Sequence, residues 1–581
     1  MSITQKGVPL PEGVTLQDLQ DNWDTSLLEY TKARNKMRVL DATDRGDIWD
    51  IISKKFPEYQ ITPDTNYVSY VKDNIVASVY TVGRCASLMP RRKEDVKIVE
   101  DLNKALDSIW GILGVADYQL QAGERAALLN LGITQVGWSA DIVGGTTNSW
   151  YKGDIVFKNI DPMNYMRDPF ARDLDNAAYV MVFDDYHKTI LQSDPDYARA
   201  IKGATDMGMT LQDDYLRDIN NPGQNKNYFK LVIHWVRVYD EKKGKTVIHE
   251  IHTIDNKFVL QVKEDIQPSL FPFAELYSSI PVKDPIGVSE PSKILASSIV
   301  LNLLDGLIVT HGYKAQRPPR LISDTSGLNL RIFSKHGNDP DKTFIVNGDA
   351  SKAVHYVSFP PLPPGMEQIP LRLAGAMERM SGIDAAYTGK DTGSILTTGG
   401  IDSMLAQATM RDTTRIRLYE TYTKRLTRLV IQYMIEFGDK RTYPYKSPTT
   451  RQPQEVVLDL PKIPRDTLFN YSINIDAEIP KNKARLAASA DAMLEKSMQY
   501  QSNPEIITIE EWLQYQNYPQ KDLILERLKA DRNANMTEQV AQILSSFAGL
   551  IEQGMDPNQA MDMVVQQMQN PEAQGQQGPK M

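Results

Sequence analysis

The sequence is poor in the residues that common catalytic and metal-binding sites require. Its 581 residues include one cysteine, Cys85, and only 7 histidines. A single cysteine excludes an internal disulfide and any zinc cluster built from cysteines. Because Cys85 lies in a mixed apolar segment, we expect it to be a buried, unreactive side chain.

The chain also lacks a basic excess and a secretory signal. Its formal net charge is −9, whereas tight binding of duplex DNA by counterion release requires a basic patch. Charged residues at 24% and hydrophobic residues at 41% are typical of globular proteins. Residues 1–24 are polar and contain no apolar segment of the signal-peptide kind. These features predict an intracellular globular protein of several domains.

Three short motifs resemble enzyme sites but fail the spacing that each chemistry needs. At 389–390 a Gly-Lys pair follows an earlier glycine, but six residues separate the glycines and Asp391 replaces the Ser or Thr of a phosphate-binding loop. His249 and His252 are three apart on a predicted strand, whereas zinc proteases place histidines four apart on a helix. We expect both to be solvent-facing or half-buried. The acidic cluster at 184–187 is interpreted as a helix cap, and we predict no catalytic, metal or cofactor site.

A long apolar helix is the most distinctive element that the sequence does contain. The Ser-Glu-Pro at 289–291 is a helix start signal. Over 294–309 the pattern is apolar on nearly all sides, and only Ser298, Asn302 and Asp305 form a polar stripe. Such a helix needs neighbours on most sides. The polar residues interrupt the run before the roughly 20 apolar residues of a membrane span, so we predict packing between helices and no membrane insertion.

The elements that follow are a short insert and two more helices. The first helix ends at the Arg-Pro-Pro of 317–319. The insert continues to about Pro364, with strands predicted over 331–333, 343–346 and 354–359. A second helix is predicted over 366–380. After a loop rich in glycine and threonine, a third helix over 401–437 ends before Gly438 and is roughly 50 Å long at about 1.5 Å per residue.

The rest of the chain predicts an α+β fold that is largely helical. Early core anchors are Trp23, Leu27, Leu28 and Tyr30. Helices are predicted over 67–88, 94–113 and 118–131, and from 481 onward. Strands are predicted over 132–140, 152–160, 177–183, 229–239, 246–254, 258–263 and 468–477. A turn at Gly144-Gly145 is expected to join the first two strands.

This order of elements resembles the portal proteins of tailed bacteriophages. The passage NIDPMNYMRDPFARDL at 159–174 is also similar to the strand and Asp-Pro sequence that precedes the stem in that family. The resemblance implies a portal-type ring subunit with wing, stem, clip and helical crown. The implied boundaries are 1–287 for the wing, 288–317 for stem helix 1, 318–364 for the clip, 365–383 for stem helix 2, 384–400 for the tunnel loop, 401–480 for the long wing helix and return strand, 481–570 for the crown and 571–581 for a disordered tail.

The resemblance implies interaction surfaces where an enzyme would have an active site. The DNA-facing residues of the tunnel loop would be Tyr387, Thr388, Lys390, Thr392 and Ser394. The clip surface for the packaging motor and the head-completion proteins would be Lys314, Arg317, Arg320 and Arg331. The side chains packed between stem helices of neighbouring subunits would be Leu295, Ile299, Leu303 and Leu307. Solvated charge is the alternative for Lys390 and for the clip cluster, and the charges over 411–428 are interpreted as inter-subunit and surface pairs.

The implied function is a ring-shaped DNA channel at one capsid vertex of the virion, assembled in the host cytoplasm. The ring would nucleate procapsid assembly, dock the terminase, pass and retain the genome, release it on ejection, and join head to tail. Expected partners are further copies in a dodecamer, double-stranded DNA bound without sequence preference, the terminase, major capsid and scaffolding proteins, and head-completion or tail adaptor proteins. No cofactor is expected. The alternatives are a cytosolic two-domain enzyme with an unrecognised site and a helical protein-binding scaffold.

Overall fold

The computed structural model describes most of the chain up to residue 446 and short segments beyond it. The described ranges are 7–49, 63–83, 85–146, 149–195, 197–198, 200–201, 228–282, 284–316, 320–337, 339, 341–357, 360–382, 398–446, 453–464, 469–473, 490–493 and 512–513. The chain divides into two compact units. One consists of Met1–Tyr443 and Val457–Asp476, and the other of Pro444–Val456 and Ala477–Met581.

Helix accounts for 49% and strand for 25% of the residues that the structure describes, which makes the fold a mixture of helix and strand. The helices are α1 (Leu16–Asp44), α2 (Tyr67–Ile75), α3 (Val96–Ile112), α4 (Val115–Leu129), α5 (Lys188–Ser193), α6 (Glu290–Gln316), α7 (Leu330–His336), α8 (Ala350–Ala353), α9 (Gln368–Ser381) and α10 (Thr398–Phe437). The strands are β1 (Ser87–Met89), β2 (Leu131–Thr146), β3 (Ser149–Ile160), β4 (Tyr165–Arg167), β5 (Tyr179–His187), β6 (Tyr228–Asp240), β7 (Lys245–Ile254), β8 (Phe258–Lys263), β9 (Phe273–Tyr277), β10 (Arg320–Ile322), β11 (Val354–Tyr356), β12 (Lys440–Lys446), β13 (Pro453–Asp459) and β14 (Asn470–Ser472).

Two antiparallel sheets lie at the centre of the first unit. Their strand orders are β4-β5-β6-β7-β8 and β3-β2-β9, which confirms the predicted meander and the pairing of β2 with β3. The three-residue turn between β7 and β8, at 255–257, holds Asp255 and Asn256 at φ 50° and 53°. Asp and Asn tolerate this left-handed region better than other residues with a side chain, and a type I′ hairpin turn requires it twice.

A buried polar network joins α1 to both sheets. Arg167 on β4 and Glu275 on β9 form an ion pair at 3.4 Å. Tyr165 donates a hydrogen bond to Glu275 Oε1 at 2.7 Å, and the hydroxyl of Tyr30 accepts one from the backbone of Arg167. Burial, followed by the charge of Glu275, raises the pKa of Tyr165 well above its ordinary value. The carboxylate is thus held by three partners, with Tyr277 Oη at 3.2 Å, which is what a buried charge needs.

Several predicted bounds in the outer parts of this unit are wrong. Leu28 is not a core anchor, because it is 77% exposed while Tyr30 is buried. The helix predicted over 67–88 ends with α2 and a turn of π-helix at Val76–Tyr80. Gly144 lies inside β2, paired with Tyr151, so the turn to β3 falls further along the chain. The strand predicted over 468–477 corresponds to the short β14. This strand pairs with β1 and joins neither of the two large sheets.

The helix start predicted before α6 is confirmed. The Ser289 hydroxyl accepts a hydrogen bond from the Ser292 N–H at 3.2 Å and donates one to the Leu128 carbonyl at 2.7 Å. From there α6 packs against α2 and α9. The 40 residues of α10 span about 60 Å at 1.5 Å per residue. Its later turns bury Tyr419, Leu426 and other apolar residues against the three-stranded sheet.

The insert between α6 and α9 differs from its prediction of three strands. Residues 330–336 form α7, because the Asn329 side chain caps it by accepting from the N–H groups of Arg331 and Ile332. Within α7 the side chain of Phe333 is buried. Its ring packs edge-on against that of Phe344, with 5.0 Å between the ring centroids. Residues 343–346 form no strand. Only β11 matches a predicted strand, and its pairing with β10 brings the two ends of the insert together.

Candidate assembly and channel surface

Exposed apolar side chains concentrate on α6, the insert and α9. Of the thirty large hydrophobic side chains that the described residues expose, thirteen fall between positions 300 and 380. We call these thirteen the α6–α9 surface: Val300, Leu307, Val309, Tyr313, Leu321, Leu330, Ile332, Ile345, Tyr356, Val357, Ile369, Leu371 and Met380. A concentration of this kind marks a site of protein–protein contact more often than a free surface.

The four residues predicted to pack between stem helices lie in three environments. Leu295 is 8% exposed and belongs to the core that includes Tyr30 and Trp235, so it is not available to a neighbouring copy. Ile299 and Leu303 are half-buried, and both pack against the buried pair Ile48 and Trp49. Leu307 is 40% exposed. The described residues of the chain therefore cover most of the first half of α6, apart from Val300, but cover its second half only in part.

The polar stripe of α6 faces the segment that precedes α2. Ser298 and Asn302 are completely buried. Asn302 Oδ1 accepts a hydrogen bond from the Thr65 N–H at 2.8 Å, and the Thr65 hydroxyl donates to Asp305 at 3.4 Å. Burial raises the pKa of Asp305. Sequence reasoning found the stripe but not its partner, because Thr65 lies more than 230 positions away along the chain.

The basic residues predicted for the clip do not act as one cluster. Lys314 at the end of α6 and Arg331 on α7 are exposed. Arg320 instead lies over the rings of Phe333 and Tyr356, at 5.3 and 5.8 Å from their centroids. It therefore stabilises the fold of the insert by cation–π contact. Arg317 lies outside the described residues.

The predicted tunnel loop lies almost wholly outside the described residues. This applies to Tyr387, Thr388, Lys390, Thr392 and Ser394 and to the Gly-Lys pair at 389–390. Helix α10 begins at Thr398, three residues before the helix start predicted at 401.

Two arginines in the described part of α10, Arg415 and Arg425, form ion pairs within the chain, and the expected inter-subunit pairs of this helix remain a prediction. Arg415 is buried and lies 2.6 Å from Asp412 and 3.3 Å from Glu290. This triad fastens α10 to the first turn of α6. Arg425 pairs with Asp175 at 2.7 Å. Arg417 is exposed and remains available to other contacts.

The motifs that resembled enzyme sites have structural roles. His249 and His252 lie on β7 and are both buried, so the expectation that they are solvent-facing or half-buried is wrong. Glu250 accepts hydrogen bonds from His252 Nε2 and from Lys263, each at 2.8 Å, and these contacts outweigh burial and lower its pKa to about 2. His187 caps α5 by accepting from the Thr189 N–H. Cys85 is half-buried, with Sγ 3.3 Å from Asp107.

Two further findings bear on identity. Helix α6 is long and apolar enough to cross a membrane by length and composition, although its first half is packed into protein. No protein-family model matches the chain, and no curated protein is significantly similar to it in sequence. A functional proposal therefore depends on the order of the elements and on the surfaces described above.

Proposed function

We propose that this chain is the portal subunit of a tailed bacteriophage. It would assemble into a ring, expected to be a dodecamer, around a DNA channel at one capsid vertex. The observation that supports this most is the α6–α9 surface. Among the described residues, the helix pair and its insert expose thirteen large apolar side chains, whereas the two large sheets and α10 expose five, namely Ile142, Val143, Val156, Tyr239 and Phe437. Copies arranged about an axis would cover these side chains.

The two halves of α6 have different tasks in this proposal. The first half anchors the helix in its own subunit through Leu295, Asn302 and the Arg415–Glu290 pair. The second half, from Leu307 onward, contacts the neighbouring subunit together with α9. The exposed Lys314 and Arg331 are available for the terminase and for head-completion proteins.

The chain performs no covalent step in this role. It nucleates the procapsid, docks the terminase, passes and retains DNA, releases it on ejection and joins head to tail. A net charge of −9 supports a weak hold on the duplex, because weak counterion release lets DNA move. The loop at 384–397 would provide the transient contacts, with Lys390 presenting one cation per subunit.

The test is deletion of residues 388–394. Because these residues belong to the predicted tunnel loop and not to the α6–α9 surface, we expect rings to form normally. Packaging or retention of DNA should fall at least tenfold in an in vitro packaging assay with purified terminase and procapsids. Deletion of residues 575–581 removes the same number of residues and should change neither property. Loss of rings after the first deletion, or unchanged packaging, would contradict the proposal.

A further inference from the structure

A cleft beside α10 contains more positive than negative charge. The cleft has a volume of about 400 Å³ and is lined in part by Asp175, Arg237 and Arg428. A second cavity of about 570 Å³ shares Ser269 and Leu270 with it, so the two form one groove along α10. Combined, they have the size of a small-molecule site, on the order of 300–1,000 Å³.

Only one of the three guanidiniums at this cleft has an anionic partner. Arg425 Nη1 donates to Asp175 Oδ1 and its Nε to the Phe273 carbonyl, each at 2.7 Å. Arg425 Nη2 is buried and has no hydrogen-bond partner among the described residues. Arg237 donates to the backbone carbonyl of Asp175 at 2.5 Å, which is a neutral acceptor. Arg428 makes no hydrogen bond or ion pair with any described residue.

The charge balance leaves room for an anion. Burial would raise the pKa of Asp175, but the attraction of Arg425, Arg428 and Arg237 outweighs it and lowers the pKa, so the carboxylate is ionised. In the smaller cleft, one carboxylate stands against Arg237, Arg428 and the adjacent Arg425, which leaves two positive charges, and the second cavity adds one charge of each sign, Lys245 and Glu436. Burial, together with the charge of Arg425, lowers the pKa of Arg237. Half-buried guanidiniums without a counterion are costly, and a bound anion would remove that cost.

We propose that this groove binds a small phosphate-bearing anion. Arg237 and Arg428 would hold its oxygens, and Arg425 would be kept beside them by Asp175. The planar fork of a guanidinium matches phosphate oxygens in pairs. The groove is concave and lies between β6, the loop at 267–270 and α10, which favours a free phosphate compound over the backbone of a duplex.

The test is titration calorimetry of the full chain with pyrophosphate at low salt, repeated with a short DNA duplex present. We expect saturable binding that Arg428→Gln weakens at least tenfold and that the duplex does not displace. Arg45→Gln, which removes an exposed arginine just after α1, should change the Kd less than twofold. Arg428→Lys keeps the charge but not the fork, and should weaken binding to an intermediate degree.

Three results would overturn the inference. The first is an absence of saturable pyrophosphate binding by the unmodified chain. The second is equal affinity in Arg428→Gln, with its thermal midpoint unchanged. The third is displacement of pyrophosphate by the duplex, which would assign the arginines to the DNA backbone. None of these measurements depends on ring formation, so failure here and failure of the portal proposal are distinguishable.

Discussion

His234 shows how burial sets the chemistry of single residues in this fold. It lies inside the five-stranded sheet, 1% exposed, with Nε2 2.8 Å from Asn256 Oδ1. Burial lowers its pKa from 6.5 to about 4, although the hydrogen bond to Asn256 opposes the shift. The folded chain therefore keeps this ring neutral at a pH where the unfolded chain protonates it.

The consequence is a defined loss of stability in acid. The pKa of His234 is lower in the folded chain than in the unfolded chain. The stability that the neutral ring contributes is therefore complete above about pH 6.5 and is lost as the pH falls towards 4. The loss is of order 3 kcal/mol in total. In His234→Gln the amide can still donate to Asn256, so its thermal midpoint should fall less between pH 7 and 4.5 than that of the unmodified chain. His355→Gln, which changes an exposed ring on β11, should follow the unmodified chain, and equal slopes in all three proteins would contradict this explanation.

Sequence spacing could exclude chemistry at single residues but could not predict their burial. The spacing of His249 and His252 on a strand excluded a zinc protease site. Their burial depends on distant residues such as Tyr197, whose hydroxyl is hydrogen-bonded to His252 Nδ1. Such a contact leaves no local pattern in the sequence. For the same reason, the buried pairs of Arg415 could not be foreseen.

At the scale of elements, α6 combines a part that is packed in the core with a more exposed part, which the proposed ring would place at a subunit interface. Val300 and Leu307 lie seven positions apart, on the same face of the helix, and both are exposed. We expect the double variant Val300→Asp and Leu307→Asp to abolish rings, because it places charge where a neighbouring copy would pack. The monomer should keep its fold, since neither residue is buried.

The matched control for this variant is Leu28→Asp. Leu28 is a more exposed leucine on another helix, α1, so its replacement should leave assembly intact. Size-exclusion chromatography with light scattering measures the mass of each variant. Rings in the double variant, or loss of rings in the control, would show that the interface lies elsewhere.

Elements with strong local signals could be predicted from the sequence, and those that depend on a single contact could not. Ser289 and Pro291 located the start of α6, and Gly438 the end of α10. In the insert, the side chain of Asn329 starts a helix over residues whose apolar pattern suggested a strand. Over the seven residues of α7, the helical and the strand periodicity both fit the same apolar positions. The capping side chain therefore decided that this segment is a helix.

At the scale of the whole molecule, α6 is packed against the rest of the chain more completely in its first half than in its second, and this difference needs an explanation. Lipid and protein neighbours are the two environments that could cover its second half. The chain fixes the first half in its own core through Leu295 and buries Ser298 and Asn302 beside it. A bilayer would have to accommodate this packed, polar part of the same helix, whereas a ring of copies would not. This favours covering by other subunits.

The most direct test of this account is negative-stain electron microscopy of the full chain at micromolar concentration and moderate salt. The account predicts closed rings with an axial channel wide enough for a DNA duplex. Compact single-chain particles or extended rods, without a central channel in any class of image, would contradict it.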